Sequence, residues 1–449
     1  MSQEHLFLAA SINGTGWSGR SARWPGTSPR RFADPAHYVE AARIAHRGVL
    51  DAVFVSDHPA LSPNAHSGPH HVFDPIVLFS AITGAVPDIG FVLTASTTYN
   101  SPFNLARRLA SLDAFSGGRL IWNAVSSFNP AVAANYGSEP LPPREERYRR
   151  AGEFLDVVKQ LWASWDLPDE LAPDGALWDE AEARPIDHHG EFYDVRGPLN
   201  VPVGPQGHPV IAQAGASQHG LDFAARHAEL VYAPLPGKEV ARDRARLLTE
   251  RATAYGRDPD GIRLFPGLNL VIADTREEAY RRHEALQGVA DEEGLIQAFL
   301  TRGFGVTPEL PPGVGPDDPL DPAWFPVLTA EGVFGTVGHS LAVTELVASE
   351  RLTLRQLVRR VDGSHRLIVG TPRDVAEGIL DWWDDGLVAG FNLQLPVLPD
   401  DLVRFVDEVV PILQAAGATP KSYDGSTVRE RLGLPDPRLT TPGTAAVAR

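Results

Sequence analysis

The sequence predicts an α/β fold, a closed (β/α)8 TIM barrel with insertions, and three observations point to it. Short runs rich in Val, Ile, Leu and Phe alternate with amphipathic stretches of helical period along nearly the whole chain. The apolar runs number about eight. No linker or composition break separates them, so nothing divides the chain into two cores. An open doubly wound sheet has the same periodicity, but runs that continue to the end of the chain favour a closed barrel. A length of 449 residues agrees, since barrels with insertions exceed about 400.

In chain order, "HLFLAAS" is the first strand. "DPAHYVEAARIAHRG" follows as a helix opened by Asp34, with Pro35 at its first position, and closed by Gly48. "DAVFVSD" is the second strand and "IGFVLTAS" the third. The helix "NLARRLASLDAFS" ends at Gly117 and Gly118, which release the chain into the fourth strand, "RLIWNAVS". The helix "REERYRRAGEFLDVVKQLWASW" comes next, then strands "PVIAQAG", "ELVYAPL", "IRLFPGLNLVIA" and "GFNLQLP". "VGTPRDVAEGI" looks like a nucleotide motif, but reads better as Gly370, a helix-capping Thr371 and Pro372 at the first helical position. Residues 166–209 and 288–345 break the repeat with Pro, Gly and acids, as insertions at a barrel mouth do. Residues 1–435 therefore read as one domain, and 436–449 as a flexible tail.

Composition removes several function classes. The formal net charge of −17, with no basic run, argues against nucleic-acid and anionic-membrane partners. The absence of cysteine removes thiolate nucleophiles, disulfides and Cys-bound metals. No run approaches the roughly 20 apolar residues of a membrane span, and the N-terminus lacks a signal-peptide pattern, so a cytoplasmic setting is expected.

In a barrel the C-terminal strand ends converge on the active site. Here they carry Asn13, then Ser56, Asp57 and His58, then Thr94 to Thr98, then Asn123, Ser126 and Ser127, and finally Gln213 to Ser217. Apart from Asp57 and His58 these are amides, hydroxyls and glycines, which suit hydrogen bonding to a polar heteroaromatic ring and a phosphate. In "QAGASQHG" a strand ends at Gly215 and Ser217 opens a helix, which has the form of a phosphate cradle and equally of a plain N-cap. Asp57 and His58, with the pairs His70–His71 and His188–His189, raise the option of a metal. Adjacent residues on an extended chain point to opposite faces, so neither pair is a natural chelate and no metal is expected.

The segments "DAVFVSDHP", "IGFVLTASTTYNSPFNLARRLASLDAFSGGRLIWNAVSS", "ERYRRAGEFLDVVKQLW", "HHGEFYDVRGPLNVPVGPQGHPVIAQAGASQHG" and "GTPRDVAEGILDWWDDGLVAGFNLQLP" together resemble the nitrilotriacetate monooxygenase component A group of bacterial-luciferase-like flavin monooxygenases. They occur in that family's order and span roughly residues 5 to 435. The resemblance implies a luciferase-like barrel that uses reduced FMN and O2 to oxygenate a small organic substrate. It also implies a separate NAD(P)H-dependent flavin reductase as functional partner and assembly into dimers or tetramers. On this resemblance Asp57 and Thr94 look like flavin contacts, Asn123 borders the ring, and Tyr148 and Ser217 look like phosphate-side contacts. Arg144 stands where many relatives have His, and would serve as an anion ligand but not as a base near neutral pH. Asn13, Trp17 and Phe391 are substrate-side candidates, and Phe7, Trp17, Trp122 and Phe391 are expected as dry walls around the flavin. The usual N-terminal His is missing from "NGTGWSGRSARWPG", and Ala389 stands where many relatives have Asp. The rival readings are a deazaflavin (F420)-dependent oxidoreductase of the same superfamily, a metal-dependent barrel hydrolase, and a flavin-binding protein without catalysis.

Overall fold

The computed structural model describes residues 5–28, 30–61, 73–137, 140–167, 178, 180–215, 217–302, 308–325 and 336–440. His70 and His71, and residues 441–449 of the expected tail, lie outside the described residues.

The parallel strands are β1 (Phe7–Ser11), β2 (Ala52–Val55), β3 (Gly90–Ser96), β4 (Leu120–Val125), β5 (Val210–Ala214), β6 (Leu230–Tyr232), β7 (Arg263–Leu264), β8 (Gly267–Ile272), β9 (His365–Gly370) and β10 (Gly390–Gln394). With Val361–Asp362 they form one curled eleven-stranded sheet. Its order is Val361–Asp362, β9, β8, β10, β1, β2, β3, β4, β5, β6, β7, and only the first pairing is antiparallel. β7 and β8 are separated in the chain only by Phe265 and Pro266. The Ala389 amide donates to Leu264 O (2.8 Å) and the Asn392 amide to Pro266 O (2.9 Å), so this bend meets β10.

Each of the eight apolar runs holds a strand, and "IRLFPGLNLVIA" holds two because the proline bends it. Among the parallel strands, one was not among those expected. β9, "HRLIVG", adds to β8 beside the main run, and its terminal Gly370 leads directly into a helix.

The helices that position the site are α1 (Pro35–Arg47), α2 (Pro75–Ala85), α3 (Pro102–Ser116), α4 (Arg144–Trp162), α5 (Gln218–His227), α6 (Arg276–Gln287) and α7 (Pro372–Asp384). Asp34 caps α1 by accepting from the Ala36 amide (3.0 Å), and Thr371 with Asp374 forms a reciprocal capping box on α7. Gly117 and Gly118 end α3 at φ 69° and 79°, left-handed values that favour glycine and turn the chain into β4.

Strand alternation splits the core into two layers. Leu8, Ala10, Val53, Leu93, Trp122, Ile211, Phe391 and Leu393 pack outward against the helices. Phe7, Ala9, Ala52, Phe54, Val92, Ile121, Val210, Leu230 and Phe265 form a second cluster on the inner face of the curl. The C-terminal segment closes that cluster with Val428, Leu432 and Leu434. It reaches the N-terminal ends of the strands: the Val428 amide bonds Gly118 O, and Arg431 donates to Asp51 O (3.2 Å) and Asp88 O (2.9 Å). Arg429 there forms a buried ion pair with Glu229, Nη2 to Oε2 at 3.2 Å.

Of the two insertions, the first contains the antiparallel pair His188–His189 and Asp194–Val195. His188 turns in to Glu153 (3.1 Å) while His189 turns out to Asp194 (2.9 Å), as alternation requires. Part of the tail is regular, with Pro437–Thr440 forming a helical turn.

Candidate active site

Because the ten named strands run parallel, their C-terminal ends share one side of the sheet, and the chain places its amides there. The Asn123 Nδ2 of β4 donates to Thr94 Oγ1 of β3 (2.9 Å), which leaves the buried Asn123 Oδ1 without a partner. Asn13, just beyond β1, is buried, accepts from the Ser56 amide (3.1 Å) and donates its amide to the Ser56 hydroxyl. Ser127 joins the ends of β3 and β4, its hydroxyl against Ser96 (2.8 Å) and its amide donating to Thr98 (3.1 Å).

The inner face carries further polar groups that motif reading missed. The Tyr232 hydroxyl accepts from Gln394 Nε2 (2.6 Å), and its ring stacks on Phe54 at 5.6 Å. A Cβ on Gly267 would lie 2.7 Å from the Tyr232 hydroxyl, 2.8 Å from Gln394 Nε2 and 2.8 Å from His365 Nδ1, so glycine makes room for this polar group. Asn269 and Asn392 lie buried on the neighbouring strands. Ser11 Oγ, Asn269 Oδ1 and Gln394 Oε1 join Asn123 Oδ1 as buried atoms without a hydrogen-bond partner among the described residues. Unpaired buried polar atoms cost free energy of order 1–3 kcal/mol each, so such a concentration marks a surface shaped for a polar ligand. The available signal was alternation. Asn392 and Gln394 interleave with Phe391 and Leu393, and Asn269 sits in the same pattern between Leu268 and Leu270.

A second group gathers where α4 and α5 begin. Arg144 is the first residue of α4, and Tyr148, one turn later, hydrogen-bonds Ser217. Ser217 caps α5, accepting from the Gly220 amide (3.2 Å). Burial raises the Tyr148 phenol above its ordinary pKa, although Ser217, Arg144 and Arg147 pull the other way. It is therefore a neutral donor near physiological pH. Its ring also lies over His219 (5.9 Å) and edge-on to Phe223 (5.8 Å). Helix N-termini and guanidinium groups both favour an anion, and here they share one place.

Asp57 lies just beyond β2, next to Ser56. Burial, reinforced by the negative charge of Asp74, pushes its carboxyl up to about 6. Beside it His58 is held in one tautomer: its Nδ1–H donates to Ala60 O (3.1 Å) and its Nε2 accepts from Asn129 (2.6 Å). Among the described residues no three of His, Asp and Glu come together to hold a metal ion.

Two expected wall residues face away from this surface. Phe391 packs outward on Trp382 of α7 (6.1 Å), and Trp122 packs on Phe154 (6.2 Å) and Trp162 (6.0 Å) of α4. The physical reason is parity: Asn123 and Asn392 take the inward positions, so Trp122 and Phe391 beside them must point out. Phe7 does face inward, and Trp17, 39% exposed, lies on the loop after β1.

The curled, mostly parallel sheet flanked by helices defines an α/β fold of the TIM-barrel type, with a polar set of strand ends on one side. The chain matches the luciferase-like monooxygenase family over residues 14–389 and belongs to it; it is a monooxygenase. It is 35% identical over 462 residues to the nitrilotriacetate monooxygenase component A of Aminobacter aminovorans, covering 96% of each chain. Among solved structures, EDTA monooxygenase from Chelativorans sp. BNC1 superimposes with a TM-score of 0.83 at 40% identity, covering 96% of this chain and 99% of that one. A riboflavin lyase, whose structure holds a modified FMN and riboflavin, superimposes with a TM-score of 0.76 at 28% identity, covering 96% and 97%. No helix among the described residues is long and apolar enough to cross a membrane.

Proposed function

We propose that the chain is the oxygenase of a two-component system, binding reduced FMN at the C-terminal strand ends and oxygenating a small organic substrate with O2. The observation that carries this reading is the pair of buried, unpartnered atoms on the inner ends of β1 and β4, Ser11 Oγ and Asn123 Oδ1. A flavin ring has N–H and C=O groups along one edge, and amides and hydroxyls are the side chains that satisfy both. When bound, the reduced flavin supplies the reducing equivalents and the site of O2 activation.

The chain's own residues then have simple tasks. Thr94 fixes the Asn123 amide and leaves its oxygen free, so that Asn123 would accept a hydrogen bond from the flavin ring. Arg144, Tyr148, Ser217 and the N-terminus of α5 hold the phosphate, with Tyr148 as a hydrogen-bond donor. Asp57, raised to about 6, exchanges a proton with bulk water near neutral pH beside the site. Phe7, Phe54 and Phe265 floor the pocket and exclude water from beneath. Asn13 and Trp17 border the substrate side.

β7, the Phe265–Pro266 bend and β8 count in this reading as one barrel strand. With β1 to β6 and β10 they make eight, which closes the (β/α)8 barrel of a single domain over residues 1–435. A homologue named as a "component A" supports a separate NAD(P)H-dependent flavin reductase as partner. We also infer a cytoplasmic homo-oligomer, a dimer or tetramer, on the family resemblance.

Anaerobic titration of the full chain with reduced FMN and with reduced F420 tests the reading. Reduced FMN should bind at least about tenfold more tightly, a difference of about 1.4 kcal/mol. Tighter binding of F420, or no binding of either, defeats it.

A further inference from the structure

A small cleft of about 20 Å3, room for one water-sized polar group, opens beside the inner face, lined among others by Trp17, Asn269, His283, Gln287, Asp362 and Gln394. Four elements bring these residues together. Asn269 and Gln394 are register partners on β8 and β10, Gln287 ends α6, and Asp362 precedes β9. Trp17 and Ser18 close the rim, and Ser18 Oγ donates to Leu286 O (3.1 Å).

The hydrogen-bond pattern within this cleft is one-sided. Asn269 spends its Nδ2 on the backbone oxygen of Asp362 (2.8 Å), so its Oδ1 is left over. Gln394 spends its Nε2 on Tyr232 (2.6 Å), so its Oε1 is left over. Both side chains are more than nine-tenths buried, at 3% and 1% exposure. Asp362 Oδ2 accepts from Gln287 (3.2 Å), and the carboxyl keeps further acceptor capacity. The atoms left without any partner are acceptors, while each amide nitrogen, already donating once, keeps one further N–H.

Charge agrees with geometry. Burial pushes Asp362 up to about 6 against the pull of Gln287, which still leaves an anion at pH 7.5. Burial lowers His283 to about 4, so it is neutral there. No lysine or arginine is among the described residues that line the cleft. An anion placed here would meet oxygens without a cation to offset its desolvation. A primary ammonium has three N–H donors and would satisfy them.

We propose that this cleft seats the polar end of the substrate, and that it takes a hydrogen-bond donor, an amine or ammonium group, in preference to a carboxylate. The assignment of the cleft to the substrate rests on the monooxygenase reading above. It makes Asp362, Asn269 and Gln394 specificity-determining residues, on strands where no motif pointed to them.

The test uses a matched pair of thioethers, 2-(methylthio)ethylamine and 3-(methylthio)propanoate, titrated calorimetrically into the FMN-loaded full chain at pH 7.5. The amine should bind at least about tenfold more tightly than the acid. Asp362→Asn, which preserves shape, should reduce that preference to about threefold or less while the affinity for FMN, followed by flavin fluorescence, stays unchanged. Ser18→Lys, at the rim and independent of whether the first variant folds, should shift the ratio toward the acid by about threefold or more. Equal or tighter binding of the acid, a preference that survives Asp362→Asn, or an unmoved ratio in Ser18→Lys would overturn the proposal. FMN fluorescence separates the two readings. Failure of FMN to bind sinks the flavin assignment, whereas the ratio measured on the same chain without FMN still decides the amine preference.

Discussion

The two ends of the sheet differ in how far their buried polar groups are paired, with Asp113 Oδ2 and Gln206 Oε1 the unpaired atoms near the start of β4 among the described residues. At the N-terminal end Arg429 has Glu229, Gln206 O, Pro435 O and His208 as partners, and Arg431 spans two backbone carbonyls. At the C-terminal end Ser11, Asn123, Asn269 and Gln394 each keep a buried atom unpaired. One end is closed by matched charges and the apolar plug of Val428, Leu432 and Leu434, and so contributes stability. The other forgoes hydrogen-bond energy to keep a surface ready for a ligand. The contrast predicts that variants at the two ends separate stability from binding.

The largest effect is expected from Glu229→Gln. Burial draws the Glu229 carboxyl upward, but the charges of Arg429 and His208 outweigh it and hold the group down at about 2. Removing the charge leaves Arg429 buried and uncompensated, which costs about 3–5 kcal/mol and shows as a large fall in the denaturation midpoint. Because the folded pKa is depressed, the wild-type pair's contribution is fully present above the unfolded value of about 4.5. It is lost as the pH falls through about 2. The gap between variant and wild type should therefore narrow below about pH 4 in acid titrations of stability.

Asp113→Asn should act in the other direction. Burial pushes Asp113 up to about 7, although it accepts from Gln206 (2.7 Å) and the Leu120 amide (3.3 Å). A raised acid is penalised as pH climbs from its unfolded value, about 3.9, through its folded one. The asparagine can accept the same two hydrogen bonds through its Oδ1. The variant should match or trail wild type at pH 4 and gain about 1–2 kcal/mol relative to it by pH 8, read from urea midpoints. A constant difference across pH would show that Asp113 is not buried as described.

The smallest effect belongs to the surface. Arg149 and Glu191 pair at 2.7 Å with both side chains more than half exposed, so Arg149→Ala should cost under about 1 kcal/mol, with FMN affinity unaltered. A larger loss would mean that the first insertion contributes more to the site than its geometry shows.

How far the molecule could be read from its sequence follows the same divide. All eight apolar runs became strands, and the caps at Asp34, Ser217 and Thr371 were visible because capping chemistry is local. β9 was missed: a six-residue run between a turn and a helix start carries little periodicity, and its pairing with β8 is set by tertiary contact. Within the site, Thr94 and Asn123 were legible as polar residues in apolar strands, and the structure bonds them to each other. Tyr232, Asn269, Asn392 and Gln394 were not, and Phe391 was chosen in their neighbourhood. Strands buried on both faces give no amphipathic contrast, so composition alone does not say which parity faces inward. Counting outward from Asn123 would have made the choice, since β4 shows the same order of an outward Trp122 beside an inward amide.

The most direct measurement is the dissociation constant for FMN in Asn123→Ala and Glu229→Gln beside wild type, taken by flavin fluorescence at a temperature where circular dichroism shows all three folded. The account predicts that Asn123→Ala weakens binding about tenfold, roughly one hydrogen bond, with a denaturation midpoint near wild type, while Glu229→Gln lowers the midpoint and leaves the constant unchanged. Unchanged affinity in Asn123→Ala, or weakened affinity in folded Glu229→Gln, would contradict the division of the molecule into a ligand end and a stabilising end.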